Sequence, residues 1–450
     1  MKLGRLLIAA VLLAGLAGAV YWSNKKTKAD AEKPAADAAP KVVTLPEDDI
    51  RQLVIKRRSG ESTTLKRDDA GKWDITAPKT LPGDKYAIDA VTNALANLNS
   101  DRMVDDKVAD SDLASYGLAP PVVELDATLK NGKTTKLLIG EENPTGNDVY
   151  AKVEGDPRLF TTLSANKGNL DKTYRDLQDR HLLNIEPEKV SRVEMTAKSQ
   201  AFEFGRAGNS EWTILKPKPM RADGSQVQDL VQRLRDAVFD AASSDEAEKK
   251  APGLFASGTP VAVIKVTDAT GTQTLEVRKA KDEFYAKSSK VEGAQKVSND
   301  LGNGLDKSVN DFRNKKLFDF GFSDPTKLEI KDGVKDATYE KSGDKWLSAG
   351  KPMDSIGIQA LIDNLRDLSA SKFVDSGFTK PVIELTVVSN DGKKTEKVEI
   401  APTSGANFIA RREGDSSLYE LEVKTVQDMR QAAGDVKEAQ GTQSKAGDKK

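Results

Sequence analysis

Three of the four tryptophans in this 450-residue chain, Trp73, Trp212 and Trp346, recur at intervals of 139 and 134 residues, and each opens the same succession of signals. A pattern repeated three times in order restricts the chain to folds assembled from three copies of one unit. Each tryptophan sits in a short strand-like run, GKWDIT, SEWTIL or DKWLSA. An amphipathic helix is expected after each one. Its apolar stripe is Ile88, Val91, Leu95 and Leu98 in the first copy and Val227, Leu230, Val231 and Leu234 in the second. In the third it is Ile358, Leu361, Ile362, Leu365 and Leu368, again at steps of three and four.

Pro121-Val122, Pro260-Val261 and Pro381-Val382 then open alternating runs, VVELDATL, VAVIKVTD and VIELTVVS, with the period of a half-buried strand. Turn glycines follow at Gly132, Gly271 and Gly392, so each strand is expected to fold back as a hairpin. A further strand passes through Tyr150, Tyr285 or Phe408. The joints repeat as well: LDKTYRDLQDRHLL from Leu170 resembles LDKSVNDFRNKKLF from Leu305. The expected fold class is α+β, with three tandem repeats of a mostly antiparallel sheet and a packed helix. The boundaries are residues 45–184, 185–321 and 322–433, the third copy being trimmed by about a dozen residues before Pro381. A unit of this size can bury its own core, and the tryptophans are read as part of it.

Ahead of the repeats, residues 6–23 (LLIAAVLLAGLAGAVYWS) carry no charge and are flanked by Lys2, Arg5, Lys25, Lys26 and Lys28. Eighteen residues at 1.5 Å per residue reach about 27 Å, close to the hydrocarbon thickness of a bilayer. Residues 1–23 are therefore expected to form a single-pass N-terminal transmembrane anchor. The competing reading is a signal peptide cleaved after Ala17-Gly18-Ala19. Residues 24–44 are expected to be a flexible linker and 434–450 a disordered tail, since neither has much to bury. On that reading the bulk of the chain lies on the extracytoplasmic, periplasmic side of the inner membrane.

Composition narrows the chemistry. The 69 basic and 70 acidic residues leave a net charge of −1, too little field for nucleic acid to be the main partner. There is no cysteine, which removes disulfides, thiolate metal sites and cysteine nucleophiles. The one histidine, His181, is matched in the other joint by Lys316, so the repeat does not need an imidazole there. The acid pairs Asp48-Asp49, Asp68-Asp69, Asp105-Asp106 and Glu141-Glu142 are adjacent residues that point apart rather than dyads facing across a cleft. Ser389-Asn390-Asp391-Gly392 reads as a hairpin turn rather than a calcium loop, and Gly302-Asn303-Gly304 is too short for a phosphate loop. No catalytic, cofactor-binding or metal-binding residue is assigned from the sequence.

With Trp73, its helix, Tyr116-Gly117-Leu118, Pro121 and Ile139-Gly140 in order, residues 45–430 resemble a bacterial family of membrane-anchored proteins, the domain of unknown function 4340. The second copy has Leu254-Phe255-Ala256 near the Tyr-Gly-Leu position and lacks the Ile-Gly pair, and the third has Ser376-Gly377-Phe378 and Ile400-Ala401. The resemblance implies a single-span extracytoplasmic protein working beside ABC transporter components of the gliding-motility type. It carries over no catalytic residue.

The expected function is thus a non-enzymatic, membrane-tethered scaffold or auxiliary subunit of a membrane complex. The alternative is a cell-envelope glycan- or peptide-binding module with a shared face near Tyr150, Tyr285 and Phe408. A carboxylate-based hydrolase is the third reading.

Overall fold

The computed structural model describes residues 40–206, 211–241, 244–333 and 335–439. The apolar run at 6–23 and most of the expected linker and tail lie outside the described residues. Among the described ones, no helix is long and apolar enough to cross a membrane. The chain forms two compact units, the first ending at Arg180 and the second beginning at His181.

The first unit is built on one antiparallel sheet. Its strands are β1 (Ile50–Arg57), β2 (Ser62–Arg67), β3 (Trp73–Ala77), β4 (Leu81–Pro82), β5 (Arg102–Asp105), β6 (Val123–Leu129), β7 (Thr134–Glu142), β8 (Asp148–Val153) and β9 (Leu159–Leu163). They lie in the order β4-β3-β2-β1-β6-β7-β8-β9-β5. Alternation fixes the register: Leu53 lies opposite Ala127 and Ile55 opposite Leu125, which puts all four on the buried face. Helix α1 (Lys85–Ala96) covers that face with Ile88, Val91 and Leu95, and Asp84 caps its start by accepting from the Ala87 amide at 2.9 Å.

The second unit repeats this plan twice. One sheet has β10 (Arg192–Ala197), β11 (Gln200–Gly205), β12 (Thr213–Lys216), β13 (Met220–Arg221), β14 (Thr259–Asp268), β15 (Gly271–Ala280), β16 (Glu283–Ser288) and β17 (Gln295–Val297). Their order is β13-β12-β11-β10-β14-β15-β16-β17. The other has β18 (Lys327–Asp332), β19 (Lys335–Ser342), β20 (Lys345–Ser348), β21 (Lys351–Pro352), β22 (Lys372–Val374), β23 (Ile383–Ser389), β24 (Lys394–Pro402), β25 (Phe408–Arg412) and β26 (Leu418–Leu421). Its order, β21-β20-β19-β18-β23-β24-β25-β26-β22, matches the first sheet strand for strand. Helices α2 (Gly224–Arg235) and α3 (Ser355–Asp367) repeat α1, with Asp223 and Asp354 as their N-caps.

Each sheet closes its own core, and Trp73, Trp212 and Trp346 are buried in the three cores. The indole N–H groups of Trp73 and Trp212 find no acceptor, so these rings serve as apolar fill. At the hairpin turns Gly132 and Gly392 take positive φ angles of 80° and 83°.

The expected linker and tail need correction at their inner ends. Val42 and Val43 are buried, and the Val42 amide donates to the Leu98 carbonyl at 2.8 Å. Leu182 does the same to Ala237 (2.8 Å) and Leu317 to Leu368 (2.9 Å), so pairing in the three copies opens at Lys41, His181 and Lys316. At the other end, Val436 is buried and the Ala439 amide donates to the Pro352 carbonyl at 2.8 Å. That contact repeats those of Asp179 with Pro82 and of Asn314 with Arg221. Residues 436–439 are thus the closing segment of the third copy, not the start of a loose tail. A single buried valine among polar neighbours is too small a hydropathy signal to mark it.

Candidate functional site

A dense polar constellation lies in the second unit, where β13 meets the start of the third copy. Arg221 extends from β13, a two-residue strand whose other neighbour is the closing segment at Arg313 and Asn314. Its guanidinium donates to the Lys316 carbonyl at 2.8 Å, to the Tyr419 hydroxyl at 3.1 Å and to the Asp319 carboxylate. Asp319 also accepts from Asn314 Nδ2 at 3.1 Å and lies 3.4 Å from Arg412. Its backbone is held too: the Asp319 amide donates to Glu396 at 2.9 Å and its carbonyl accepts from Lys394 at 2.7 Å. Arg412 completes the set, donating to Glu396 at 2.9 Å and to the Leu317 carbonyl at 2.7 Å.

Burial and pairing set the protonation states. Burial disfavours the charge on Arg221, but Asp319 and Tyr419 outweigh it and hold the guanidinium above its ordinary range. Burial and the hydrogen bond to Asp415 (2.6 Å) push the Tyr419 phenol up to about 12. Burial alone would raise Asp415. The Tyr419 hydroxyl and Ser417 prevail and keep its carboxyl below the usual range. Beside this set the Arg313 guanidinium lies 3.4 Å from the centre of the Phe373 ring, and burial lowers its pKa. Arg221, Arg412 and Lys394 thus face Asp319, Glu396 and Asp415, three cations against three carboxylates. Charges balanced in this way tie the second module to the third; Glu396 Oε2 is buried without a hydrogen-bond partner and has the Lys394 ammonium at 3.6 Å.

The repeat shows that the charge belongs to this joint and not to the module. In the second copy the same backbone position is Asn184, whose amide donates to Gln273 at 2.8 Å and whose carbonyl accepts from Gln273 at 2.6 Å. An uncharged amide pair there does the work of Glu396 and Lys394. Pro82 and Pro352 occupy the place of Arg221.

The residues weighed from sequence are scattered. Of the four acid pairs, every member is exposed except Asp105, which is half-buried. Asp68 and Asp105 each accept a nearby backbone amide, from Lys72 and Lys107, and Glu141 pairs with Arg58. His181 contributes its backbone to the bridge with Val238, as Lys316 does with Ser369. Asn390 and Asp391 adopt the left-handed turn expected of them, with φ of 50° and 52°. No cluster of three or more metal-ligating side chains occurs among the described residues.

The shared aromatic face is overturned. Alignment on Ala151, Ala286 and Ala410 puts Tyr150, Tyr285 and Ile409 on one side, and Phe408 one residue out of step. Phe408 accordingly packs with the helix-side core. Tyr150 stacks edge-on with Tyr116 at 4.8 Å, and Tyr285 is buried with Phe255 beneath the helix Asp245–Ser257. These covering elements were not legible beforehand, because a 3-10 stretch (Asp110–Tyr116) and a helix interrupted by Pro252 show no clean periodicity.

The same place explains the two glycine motifs. Gly117 caps the 3-10 stretch at φ 68°, and a Cβ there would lie 2.8 Å from the Glu141 amide nitrogen. A Cβ on Gly140 would lie 2.2 Å from the Tyr116 carbonyl. Tyr-Gly-Leu and Ile-Gly are two halves of one backbone-to-backbone contact between the cover and β7.

This repeated, helix-backed antiparallel sheet defines a modular α+β protein. The family described as Domain of unknown function (DUF4340) matches the chain over residues 73–256 and again over 212–383, and the chain belongs to that family. No curated protein and no solved structure matches it.

Proposed function

We propose that the chain is a membrane-tethered, extracytoplasmic and non-enzymatic scaffold, an auxiliary subunit of a membrane complex of the ABC-transporter type. The observation that carries the reading is the uncharged run at 6–23 placed ahead of an array of self-contained modules. The charge network at the joint of the second and third modules supports it, since such a network serves fixed spacing better than turnover. Placement at the inner membrane and the transporter partner follow from what the family resemblance implies. Tyr285, buried, and Phe408, half-buried against the helix-side core, do not share a face and give the glycan-binding alternative no support.

The test is fractionation of cells expressing the full chain, followed by crosslinking and mass spectrometry of the detergent extract. A parallel form lacks residues 1–23 but is exported by a cleavable signal. The reading predicts that only the anchored form resists alkaline extraction and that a permease or its accessory subunit is enriched with it. Release of the full chain by alkali, or recovery without any membrane protein, would defeat it.

A further inference from the structure

The third module presents a phenylalanine to solvent on a turn that is held in place. Phe322 is 98% exposed, the extreme among the large apolar side chains described. The turn beneath it is fastened at several points. Arg366, on α3 and only 17% exposed, donates to the Gly321 carbonyl at 2.6 Å and to Asp324 at 2.9 Å. Its guanidinium also lies over the Phe320 ring at 5.4 Å, and the Ser323 amide closes the turn on the Phe320 carbonyl at 3.0 Å.

The other copies supply the comparison. Leu45, Ile185 and Phe320 each stand eight residues before a buried strand residue, Leu53, Val193 and Leu328. Phe322 therefore occupies the place of Glu47 and Pro187. In the first copy Glu47 also ties this turn to the packing helix, accepting from Thr92 at 3.1 Å and Asn93 at 3.0 Å. Anchoring the turn on the helix thus recurs in the first and third copies, and a large apolar side chain there does not. Because Phe322 buries nothing, it contributes nothing to the fold of its own module.

We infer that Phe322 is the anchor of a protein-docking surface, inserted into an apolar pocket on a partner whose rim carries lysine or arginine. The charge follows from the surroundings: Asp324 and Asp363, about half exposed, share the single Arg366 and leave the rim acidic. An acidic rim disfavours an anionic bilayer and favours a basic protein surface. An exposed aromatic on a rigid base loses little conformational entropy on binding, the property expected of an interface hot spot. The inference does not depend on the membrane reading, since a soluble partner would serve equally.

The test places a photoreactive benzoylphenylalanine at position 322 of the full chain in cells, with position 86 as an exposed control. One protein should be crosslinked from 322 and not from 86, with the adduct mapping to an apolar pocket bordered by basic residues. Against that purified partner, Phe322→Ser should weaken binding by roughly ten- to hundredfold. Phe322→Leu should restore most of the affinity, and rising salt should weaken wild-type binding. Neither substitution should move the melting temperature. A lipid adduct, an adduct with a second copy of the chain, no adduct, or a partner retained by Phe322→Ser would overturn the inference.

Discussion

Replacing Arg221 with alanine removes three hydrogen bonds that cross from the second module to the third: to the Lys316 carbonyl, the Tyr419 hydroxyl and the Asp319 carboxylate. Full orphaning of a buried partner costs about 3–5 kcal/mol, and loss of a surface pair about 0–1 kcal/mol. Asp319 falls between these limits. It keeps Asn314 at 3.1 Å and Arg412 at 3.4 Å, and the Arg221 and Asp319 side chains are 21% and 30% exposed. The expected cost is therefore about 2 kcal/mol, and the coupling between Arg221→Ala and Asp319→Ala in a double-mutant cycle about 1.5 kcal/mol. A single melting curve is the wrong readout for several modules, so the assay is hydrogen exchange resolved by residue. The Asn314 and Asp319 amides, bonded to the Arg221 carbonyl and the Glu396 carboxylate, report the joint. They should exchange roughly thirtyfold faster in Arg221→Ala, the equivalent of about 2 kcal/mol. The core amide of Val193, on β10 opposite Phe204 of β11, should not change. Additive single effects, or equal loss of protection in the core, would refute the idea that this network joins modules rather than stabilising one of them.

The remaining predictions concern packing and titration. Gly140→Ala forces a Cβ against the Tyr116 carbonyl and should cost about 1–3 kcal/mol in urea denaturation of the first unit, with the Tyr116 ring displaced from Tyr150. Val436→Asp puts an unpaired charge into the third core and should cost about 3 kcal/mol or more; stability equal to wild type would mean that the closing segment is loose after all. Burial raises the phenols of Tyr285, Tyr339 and Tyr419, with bonds to Glu283 and Asp415 adding to it for Tyr285 and Tyr419, which reach about 12. All three folded pKa values lie above the unfolded value of about 10, so the stability they confer is intact below pH 10; for Tyr285 and Tyr419 it is lost as pH rises through about 12. These three tyrosines should accordingly ionise late in an ultraviolet titration, and their ionisation near the ordinary value would contradict the burial.

Helices α1, α2 and α3 were legible in their buried stripes, because three- and four-residue spacing survives any detail of packing, although Leu98 and Leu368, read as part of those stripes, are buried just past the helix ends. Ile88, Val91 and Leu95, with their counterparts through Leu365, all face the sheets as expected. The hairpins β6–β7, β14–β15 and β23–β24 were legible for the same reason, since alternation and a turn glycine are both local signals. What escaped is what depends on partners distant in sequence. β4, β13 and β21 are two residues each, too short for an alternating pattern, and the residues just after them, Gly83, Ala222 and Met353, bridge to the distant closing segments at Gln178, Arg313 and Glu438. The joint network escaped because Arg221 and Asp319 lie 98 residues apart with no spacing rule between them. Comparison of the copies was the available signal: Asn184 and Gln273 in one and Asp319 and Glu396 in the other mark a position where neutral has become charged.

A chain that repeats itself carries its own control. Features present in all three copies, such as the tryptophan, the helix N-cap aspartate and the apolar pair that opens each module, are explained by the requirement to close a core. A feature found in one copy alone cannot be explained that way, because the other copies fold without it. Two such features stand out in the second unit, and both lie near the beginning of the third copy: the charges around Asp319, and Phe322 three residues further along. The first replaces an amide pair that holds the same backbone without charge, so its extra contribution is directed at the neighbouring module. The second replaces a glutamate and a proline in turns of equal length, and it touches nothing of its own module. One segment, residues 316–325, thus joins a fixed inter-module contact to an outward apolar side chain. A partner bound at Phe322 would meet a surface whose position relative to the second module is already set by Arg221. Loosening the joint through Arg221→Ala should then weaken that partner only if it also touches the second module, which separates a one-module contact from a two-module one.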